Sequence, residues 1–373
     1  MPNEPMTIKE FKDARPWWRT KILTEVVPSC DGVVDLLKLL KERASYPFFI
    51  IDEILKPQVS FAPIFAKKEK YVFDASHSEP RTQDVDHVVS LLRAGKYMPD
   101  AVVGIGGGST MDLAKAVSIC LANPAKLSAE YQGYGLEMAR GIDIWVLPTL
   151  FGTGAELTPI AVLRGPEKKL GINNSHTAPA VAIIAPALAS GARKFNRFYS
   201  MMDSFFHHYE ITMSQTSESD AVLDALDGVQ ISREVLSSNL SEFDIDIAVK
   251  SAVASVLGGS STIGGRVGAS HAISYGLSNA SPYLPHSVAV TISMLACRDV
   301  YDDGWDDSIG FLEANGMPRP TARAYGINES HMDRMIKTAL SMEKLWLSHF
   351  GESFRDTVTE KFVRDIYRRA LAA

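Results

Sequence analysis

Four residues, two of them close together and two far along the chain, form the set best suited to chemistry. Asp203 and His207 lie four apart in a segment with helical apolar spacing, so they share one helix face. His271 and His286 follow much later. One carboxylate and three imidazoles suit a divalent transition metal such as Fe(II) or Zn(II), with one position open for a substrate. Each histidine alone is better explained as an ordinary core or surface residue, so the hypothesis depends on their convergence in space.

A second candidate site is a run of small residues that follows an apolar strand and precedes a helical period. The run consists of Gly106, Gly107, Gly108 and Ser109. Backbone without Cβ atoms can approach a phosphate closely, and the N–H groups at a helix N-terminus favour an anion. Ser109 is predicted to be the N-cap, with Asp112 completing a capping box. An ordinary strand-to-helix turn is the alternative, because the run matches neither G-x-G-x-x-G nor a P-loop.

Two further segments place polar groups directly after predicted strands. The apolar run 47–51 ends at Asp52, whose carboxylate could accept hydrogen bonds from a ribose 2′-hydroxyl and would repel a 2′-phosphate. A helix N-cap or a solvated loop acid is the alternative for this residue. The predicted strand 142–147 is followed by a loop rich in threonine and glycine, in which Thr149 and Thr153 offer hydroxyls to a polar ligand. A plain loop is the alternative there.

These residues need a scaffold, and the order of apolar patterns predicts one. Strands and helices alternate up to about Pro186, which predicts a parallel sheet covered by helices on both faces. Strands expected at 161–163 and 181–184 flank a charged turn at 164–169. After Ala187, helical periods dominate.

The length of 373 residues favours two domains over one. We therefore expect a Rossmann-like α/β domain over residues 1–187 and an all-α domain over residues 188–373.

Composition excludes some classes of function. The net charge of −6 and the lack of Lys/Arg-rich runs argue against a nucleic-acid partner. No apolar stretch suggests a bilayer span or membrane partner, and the N-terminus lacks a basic-then-apolar signal pattern. Cys30, Cys120 and Cys297 are far apart without a CxxC motif, which is typical of the reducing cytoplasm and argues against a thiolate metal site.

Taken together, these motifs resemble the iron-containing (group III) alcohol dehydrogenase family over nearly the whole chain. The features that carry the resemblance are the glycine run with Asp112 and Lys115, the loop 148–156, and the ordered set Asp203, His207, His271 and His286. The resemblance implies that the glycine run binds the pyrophosphate of a dinucleotide and that the Asp/His set holds Fe(II) or Zn(II). It also implies that the loop with Thr149 and Thr153 lies along the nicotinamide, that Lys169 lies near the nicotinamide ribose, and that Asp52 favours NAD over NADP.

The chain departs from the family pattern at three places. Many members carry a second histidine in an H-A-x-x-H motif, whereas Tyr275 stands there in this chain, so Tyr275 either relays a proton or packs. Leu150-Phe151 replaces the commoner Thr-Ala. Arg266 stands five residues before His271, where small or neutral residues are usual.

Three stretches resemble most closely the branch that contains the 3-deoxy-manno-octulosonate 8-oxidases, which oxidise the terminal alcohol of an acidic sugar. These stretches are residues 131–133, 165–171 and 271–277. If the substrate is such a sugar, Arg266 and Arg197 are candidate partners for its carboxylate, and a surface or capping arginine is the alternative.

The resemblance implies a cytoplasmic, NAD(P)- and metal-dependent alcohol dehydrogenase that interconverts a primary alcohol and its aldehyde, at least as a dimer. A lyase or cyclase similar to 3-dehydroquinate synthase is the alternative within enzymes, although that group uses Glu in place of the Asp203–His207 pair. A non-catalytic metal- or nucleotide-binding protein on the same scaffold is the alternative outside enzymes.

Overall fold

The computed structural model describes residues 17–75 and 79–372, and contacts within the chain separate two compact units. Residues 22–192 form an α/β unit, and residues 17–21 together with 193–372 form a helical unit. The predicted fold class is confirmed: a parallel-sheet α/β part is followed by a part whose described secondary structure is all helical. The functional domain limits expected at residues 187 and 188 stay predictions.

The α/β unit contains nine strands and four α-helices within its described residues. In chain order these are β1 (Glu25–Pro28), α1 (Gly32–Arg43), β2 (Pro47–Asp52), α2 (Ala62–Phe65), β3 (Lys70–Phe73), α3 (Thr82–Ala94), β4 (Ala101–Gly106), α4 (Gly108–Ala122), β5 (Gly133–Tyr134), β6 (Asp143–Pro148), β7 (Ile160–Arg164), β8 (Lys169–Asn173) and β9 (Val181–Ile184). Six strands form a parallel sheet in the order β1-β9-β6-β4-β2-β3.

The central strands of this sheet are apolar because both faces are covered. All six residues of β4 are buried, as are the last four of β2, which is typical of a parallel sheet packed between helices. Gly104 lets α4 lie close on β4, since a Cβ at this position would come 2.9 Å from the Cβ of Ala114. The sheet and α4 therefore hold the turn between them in a fixed place.

The segment between β6 and β9 differs from the prediction in one respect. β7 and β8 form an antiparallel pair, and with β5 they make a separate three-stranded sheet. The charged segment predicted as one turn over 164–169 is shorter than expected, because Arg164 ends β7 and Lys169 begins β8. A charged four-residue turn between apolar strands thus gives a hairpin.

The helical unit contains ten α-helices within its described residues. In chain order these are α5 (Lys194–Thr212), α6 (Ser219–Leu236), α7 (Ile245–Gly264), α8 (Ala269–Ala280), α9 (His286–Ala296), α10 (Asp302–Ala314), α11 (Met332–Leu340), α12 (Glu343–Phe350), α13 (Phe354–Thr357) and α14 (Glu360–Ala372). Their buried faces form one apolar core, which includes Phe198, Phe205, Ile273 and Trp346.

The segment 17–21 joins this unit through one buried carboxylate on α6. Asp224 accepts hydrogen bonds from the backbone N–H groups of Arg19 (2.7 Å) and Thr20 (3.0 Å) and from the Thr20 hydroxyl (2.8 Å). Ser260 on α7 donates a further bond of 3.1 Å. A buried carboxylate with several donors is stable in the core, so the segment is held as part of the helical unit.

One helix in the described chain, α7, is long and apolar enough to cross a membrane by length and composition alone. No apolar stretch of the sequence had predicted such a span. In the structure 67% of its apolar window is buried, which is the environment of a core helix. Its apolar composition is therefore accounted for by packing.

Candidate metal centre and dinucleotide site

The four metal-ligand candidates come from three helices of the helical unit. Asp203 and His207 share one face of α5, His271 lies in the first turn of α8, and His286 is the first residue of α9. Possible ligand atoms of Asp203, His207 and His271 all lie within 4.8 Å of one another. His286 joins them, with its Nε2 4.0 Å from Oδ1 of Asp203. The structure thus brings all four together.

The carboxylate at the centre of this group is buried and lacks hydrogen bonds. Asp203 is 1% exposed, and within the described chain neither of its carboxylate oxygens receives a hydrogen bond. Burial opposes its ionisation, but the neighbouring imidazoles of His207, His286 and His271 outweigh burial and lower the pKa of Asp203. A buried carboxylate without donors is costly unless a cation compensates it.

The spacing of the ligand atoms fits a bound transition metal better than direct hydrogen bonds. His271 Nε2 lies 3.6 Å from Asp203 Oδ1, which is too long for a hydrogen bond. Two ligands about 2.1 Å from one tetrahedral ion are about 3.4 Å apart. The donor set of one carboxylate and three imidazoles matches the preference of Fe(II) and Zn(II). These residues therefore fit a divalent transition metal.

Glu210 completes the surroundings of this group and was not among the residues predicted from the sequence. Its side chain is fully buried and accepts a hydrogen bond from Nδ1 of His271. Burial opposes ionisation of Glu210, but His271 and the other donors outweigh it and lower its pKa to about 2. Burial alone would lower the pKa of His271, but the carboxylates of Glu210 and Asp203 outweigh burial and raise this pKa to about 9. The sequence did carry a signal, because Glu210 lies one turn after His207 on the same face of α5.

Tyr275 lies at the edge of the four-residue group. It is one turn after His271 on α8, and its ring centroid is 6.4 Å from that of His286. The side chain is half-buried and also contacts the core of the helical unit. Its position is compatible with both expected roles, packing and proton relay.

The two arginines considered as anion partners have different surroundings. Arg197 on α5 donates a hydrogen bond of 2.9 Å to the carbonyl of Leu240. Arg266 lies in the half-buried connection between α7 and α8. Ser348 donates a 2.7 Å hydrogen bond to its carbonyl, so the backbone of Arg266 is fixed. Of the two, only Arg266 lies directly before the helix that carries His271.

The glycine run forms a tight turn between β4 and α4. Gly106 has φ +155°, and a Cβ there would lie 2.7 Å from the Thr110 hydroxyl, so only glycine fits. A Cβ at Gly107 would meet only Leu150, at 4.0 Å, which leaves its backbone open to approach. Gly107, Gly108 and Ser109 are half-buried, between a buried strand and a buried helix. This cradle and the helix N-terminus fit a phosphate.

The predicted capping box at this turn is wrong. The N-cap of α4 is Gly107 without a side-chain cap, and Ser109 is the second helical residue. Asp112 instead accepts hydrogen bonds from Lys115 Nζ (3.2 Å) and from the backbone N–H of Val162 (3.1 Å). The Asp112 carboxylate therefore bonds to a buried lysine of its own helix and to the backbone of β7, and it ties α4 to β7.

Asp52 and the glycine run meet at the point where the strand order of the sheet reverses. The chain proceeds from β2 to β3 in one direction and from β4 to β6 in the other, and ligands of such sheets bind at this point. The Cβ of Asp52 lies 3.0 Å from where a Cβ of Gly106 would be. Asp52 also caps a short 3₁₀ helix, because its carboxylate accepts a hydrogen bond from the N–H of Ile54 (3.2 Å). This is the contact that the N-cap alternative predicts.

The threonine- and glycine-rich loop lies beside the glycine run because β4 and β6 are neighbours. The N–H of Thr149 donates to the carbonyl of Gly106 (3.0 Å). The Thr153 hydroxyl is 2.9 Å from where a Cβ of Gly108 would be. Both threonines therefore lie next to the proposed phosphate turn.

Lys169 belongs to the separate three-stranded sheet, unlike Asp52 and the glycine run, which lie at strand ends of the parallel sheet. It begins β8, is 1% exposed and forms an ion pair with Glu79. The role near a nicotinamide ribose stays a prediction.

Comparisons with known proteins found a family model that matches the α/β unit. Residues 26–186 match the family model "Iron-containing alcohol dehydrogenase". The chain is 26% identical to alcohol dehydrogenase 4 of Saccharomyces cerevisiae over 44% of this chain and 43% of that protein. It is 28% identical to 4-hydroxybutyrate dehydrogenase of Cupriavidus necator over 53% of this chain and 54% of that protein. The matches thus span about half the length of these relatives.

The fold extends the likeness to nearly the whole chain. The crystal structure of sulfoacetaldehyde reductase from Bifidobacterium kashiwanohense in complex with NAD+ superimposes with a TM-score of 0.80 at 18% identity. The superposition covers 95% of this chain and 99% of that one. At this identity the likeness shows a common fold.

Proposed function

We propose that this chain, whose residues 26–186 match the iron-containing alcohol dehydrogenase family model, is a metal-dependent NAD(P) alcohol dehydrogenase of that family. It interconverts a primary alcohol and its aldehyde by hydride transfer. The observation that carries this proposal is the buried Asp203 carboxylate, which faces three imidazoles and accepts no hydrogen bond within the described chain.

Each part of the chain has a separate task in this reaction. Asp203, His207, His271 and His286 would hold the metal ion, and Gly106 to Ser109 would hold the pyrophosphate of the dinucleotide. When bound, the dinucleotide supplies the hydride acceptor, and the divalent ion lowers the pKa of the alcohol. Tyr275, at the edge of the imidazole group, is the candidate for carrying the alcohol proton away.

We propose NAD as the dinucleotide in preference to NADP. Asp52 lies at the strand end nearest the glycine turn, where a carboxylate accepts ribose hydroxyls and repels a 2′-phosphate. The NAD+ complex of a protein with the same fold supports the same choice. Fe(II) and Zn(II) both suit the donor set, so the test includes both.

For the substrate we propose a small alcohol or aldehyde that carries an anionic group. Two similar proteins are named for such compounds, 4-hydroxybutyrate and sulfoacetaldehyde, and an acidic sugar such as 3-deoxy-manno-octulosonate belongs to the same class. Arg266, just before the helix of His271, is the proposed partner of the anion.

The test is a substrate screen on protein reconstituted separately with Fe(II) and Zn(II). Neutral alcohols, 4-hydroxybutyrate, sulfoacetaldehyde and acidic sugars are offered with NAD or NADP, and absorbance at the NADH band is followed. Accumulation of NADH from an alcohol supports a dehydrogenase. Turnover without net NADH would support a lyase or cyclase instead, and a protein that binds neither metal nor dinucleotide would contradict both.

The remaining parts of the proposal concern the whole protein. We propose a homodimer in the cytoplasm, with the α/β unit as the dinucleotide-binding domain and the helical unit as the metal-binding domain. Sedimentation of the purified protein checks the oligomeric state.

A further inference from the structure

Glu210 accepts three hydrogen bonds next to the ligand candidates described above. Its Oε1 accepts from the backbone N–H of Ser270 (2.7 Å) and from the hydroxyl of Tyr301 (2.7 Å). Its Oε2 accepts from Nδ1 of His271. Both carboxylate oxygens are thus engaged, and each bond has a fixed direction because an ionised carboxylate can only accept.

The same carboxylate fixes the start of α8. The first turn of a helix has N–H groups without partners inside the helix, and α8 begins at Ala269 without a side-chain cap of its own. Glu210 takes the N–H of Ser270, and the Tyr301 oxygen takes the N–H of Ala269 at 2.8 Å. Residues from α5 and from the end of the α9–α10 connection therefore cap the helix that carries His271.

The bond to Nδ1 decides which nitrogen of His271 faces Asp203. When His271 is neutral and its one proton lies on Nδ1, donated to Glu210, Nε2 has a lone pair for an ion; Nε2 lies 3.6 Å from Asp203 Oδ1. A neutral imidazole can ligate a metal only through the nitrogen without the proton, and a carboxylate on the other nitrogen sets this tautomer.

We infer that Glu210 is a positioning residue that holds His271 in the Nδ1–H tautomer, with Nε2 directed at the metal position. The inference rests on the proposed function in that it assigns the ion to the Asp/His group. It goes beyond that function because it assigns a role to a residue that touches neither substrate nor cofactor.

Glu210→Gln is the decisive variant because the remaining bonds determine how the new amide must orient. The N–H of Ser270 still needs an acceptor, so the amide oxygen takes the place of Oε1. The amide NH₂ then faces Nδ1 of His271 and donates to it, which moves the imidazole proton to Nε2. The nitrogen that faces Asp203 is then protonated and cannot ligate.

Zn(II) affinity, measured by competition with a chromophoric chelator, is the readout. We expect Glu210→Gln to bind Zn(II) about 10- to 100-fold more weakly than the wild-type protein, with an unchanged far-UV circular dichroism spectrum. Tyr301→Phe is the matched control: it removes one bond to the same carboxylate and the bond from the Ala269 N–H, but it leaves the bonds from His271 Nδ1 and the Ser270 N–H to Glu210 in place. Its Zn(II) affinity should stay within about twofold of the wild type.

Two outcomes separate this inference from the proposed function. If the wild-type protein binds Zn(II) and His271→Ala does not, wild-type affinity in Glu210→Gln overturns the inference and leaves the metal site standing. Equal weakening in Glu210→Gln and Tyr301→Phe also overturns it, because both would then act through stability. If the wild-type protein binds no divalent ion, the proposed function fails and the inference fails with it.

A second measurement decides the case if Glu210→Gln does not fold. A crystal structure of the zinc-loaded wild-type protein shows which nitrogen of His271 ligates. Nε2 as ligand with Nδ1 on Glu210 is the expected result, and ligation through Nδ1 overturns the inference.

Discussion

At the scale of single residues, the clearest consequence of the structure is the dependence of the metal group on His271. We expect His271→Ala to lose both the bound metal and turnover, because His271 contributes one of three imidazoles and leaves Glu210 buried without its charged partner. Metal content after dialysis and NADH formation measure the two effects. The matched control is His176→Ala, an exposed histidine of the α/β unit, which should keep both. Full activity in His271→Ala would refute the metal assignment.

Asp52 provides a separate test of the dinucleotide choice. We expect Asp52→Asn to raise the ratio of kcat/KM for NADP to that for NAD by about tenfold or more, since one removed charge repulsion of about 1.4 kcal/mol corresponds to a factor of ten. Steady-state kinetics with both dinucleotides measure the ratio. An unchanged ratio would show that Asp52 only caps its short helix.

Asp52 also predicts a pH dependence of stability. Burial raises its pKa, and hydrogen bonds from the N–H groups of Ile54 and Ala75 only partly oppose this. A carboxyl whose pKa is raised on folding stabilises the fold below its unfolded value of about 3.9, and that contribution is lost as the pH rises through the folded pKa. Asp52→Asn should therefore gain stability relative to the wild type between about pH 4 and pH 7.

Thermal unfolding midpoints of both proteins across this range give the measurement. The difference between variant and wild type should become more positive with rising pH. Asp306→Asn, an exposed acid on α10, serves as the control and should show a flat difference. A flat difference for Asp52→Asn as well would contradict the expectation.

At the scale of elements, the β4–α4 turn depends on one backbone conformation. We expect Gly106→Ala to destabilise the protein by about 1–3 kcal/mol, because φ is +155° and the new Cβ would lie 2.7 Å from the Thr110 hydroxyl. Gly310→Ala is the control, since a Cβ there meets nothing within 4 Å in the middle of α10. That change should stabilise by about 0.5–1 kcal/mol. Thermal unfolding compares the two, and a stable Gly106→Ala would show that the turn tolerates other residues.

The sequence predicted the elements better than the contacts between them. Apolar runs located β2 and β4, because a strand buried on both faces has few alternatives. The antiparallel pairing of β7 with β8 was not predicted, since the Gly-Pro-Glu-Lys sequence at 165–168 resembles any exposed turn. Ser109 is of the right residue type for an N-cap, but the helix begins at Gly108 with Gly107 as its N-cap.

The candidate site shows the same division between local pattern and distant contact. The i, i+4 spacing of Asp203 and His207 was visible in the sequence, and so was Glu210 one turn later. The meeting of α5 with His271 and His286 was not, because it depends on how three helices pack. For the same reason the ion pair of Lys169 with Glu79 could not be read from residues 90 positions apart.

At the scale of the whole molecule, metal binding should be visible as stability. An ion that binds only the folded protein adds about 2.7 kcal/mol when its concentration is 100 times Kd. We therefore expect the zinc-loaded protein to unfold at a higher temperature than the chelator-treated protein. Differential scanning calorimetry measures the change, and His271→Ala should show no difference between the two conditions. A wild-type protein insensitive to the chelator would contradict a tightly bound ion.

The placement of residues 17–21 has a consequence for the order in which the parts of the protein can fold during synthesis. Asp224, which binds this segment, is translated 205 residues after Arg19. The whole α/β unit leaves the ribosome in the interval and can fold first, while the earlier segment waits for its partner on α6. The helical unit is thus completed by a segment that precedes the whole α/β unit in the chain. An isolated C-terminal fragment starting at residue 193 would lack the donors that Arg19 and Thr20 give to a buried carboxylate, so a recombinant helical unit needs residues 17–21 supplied as part of its own chain.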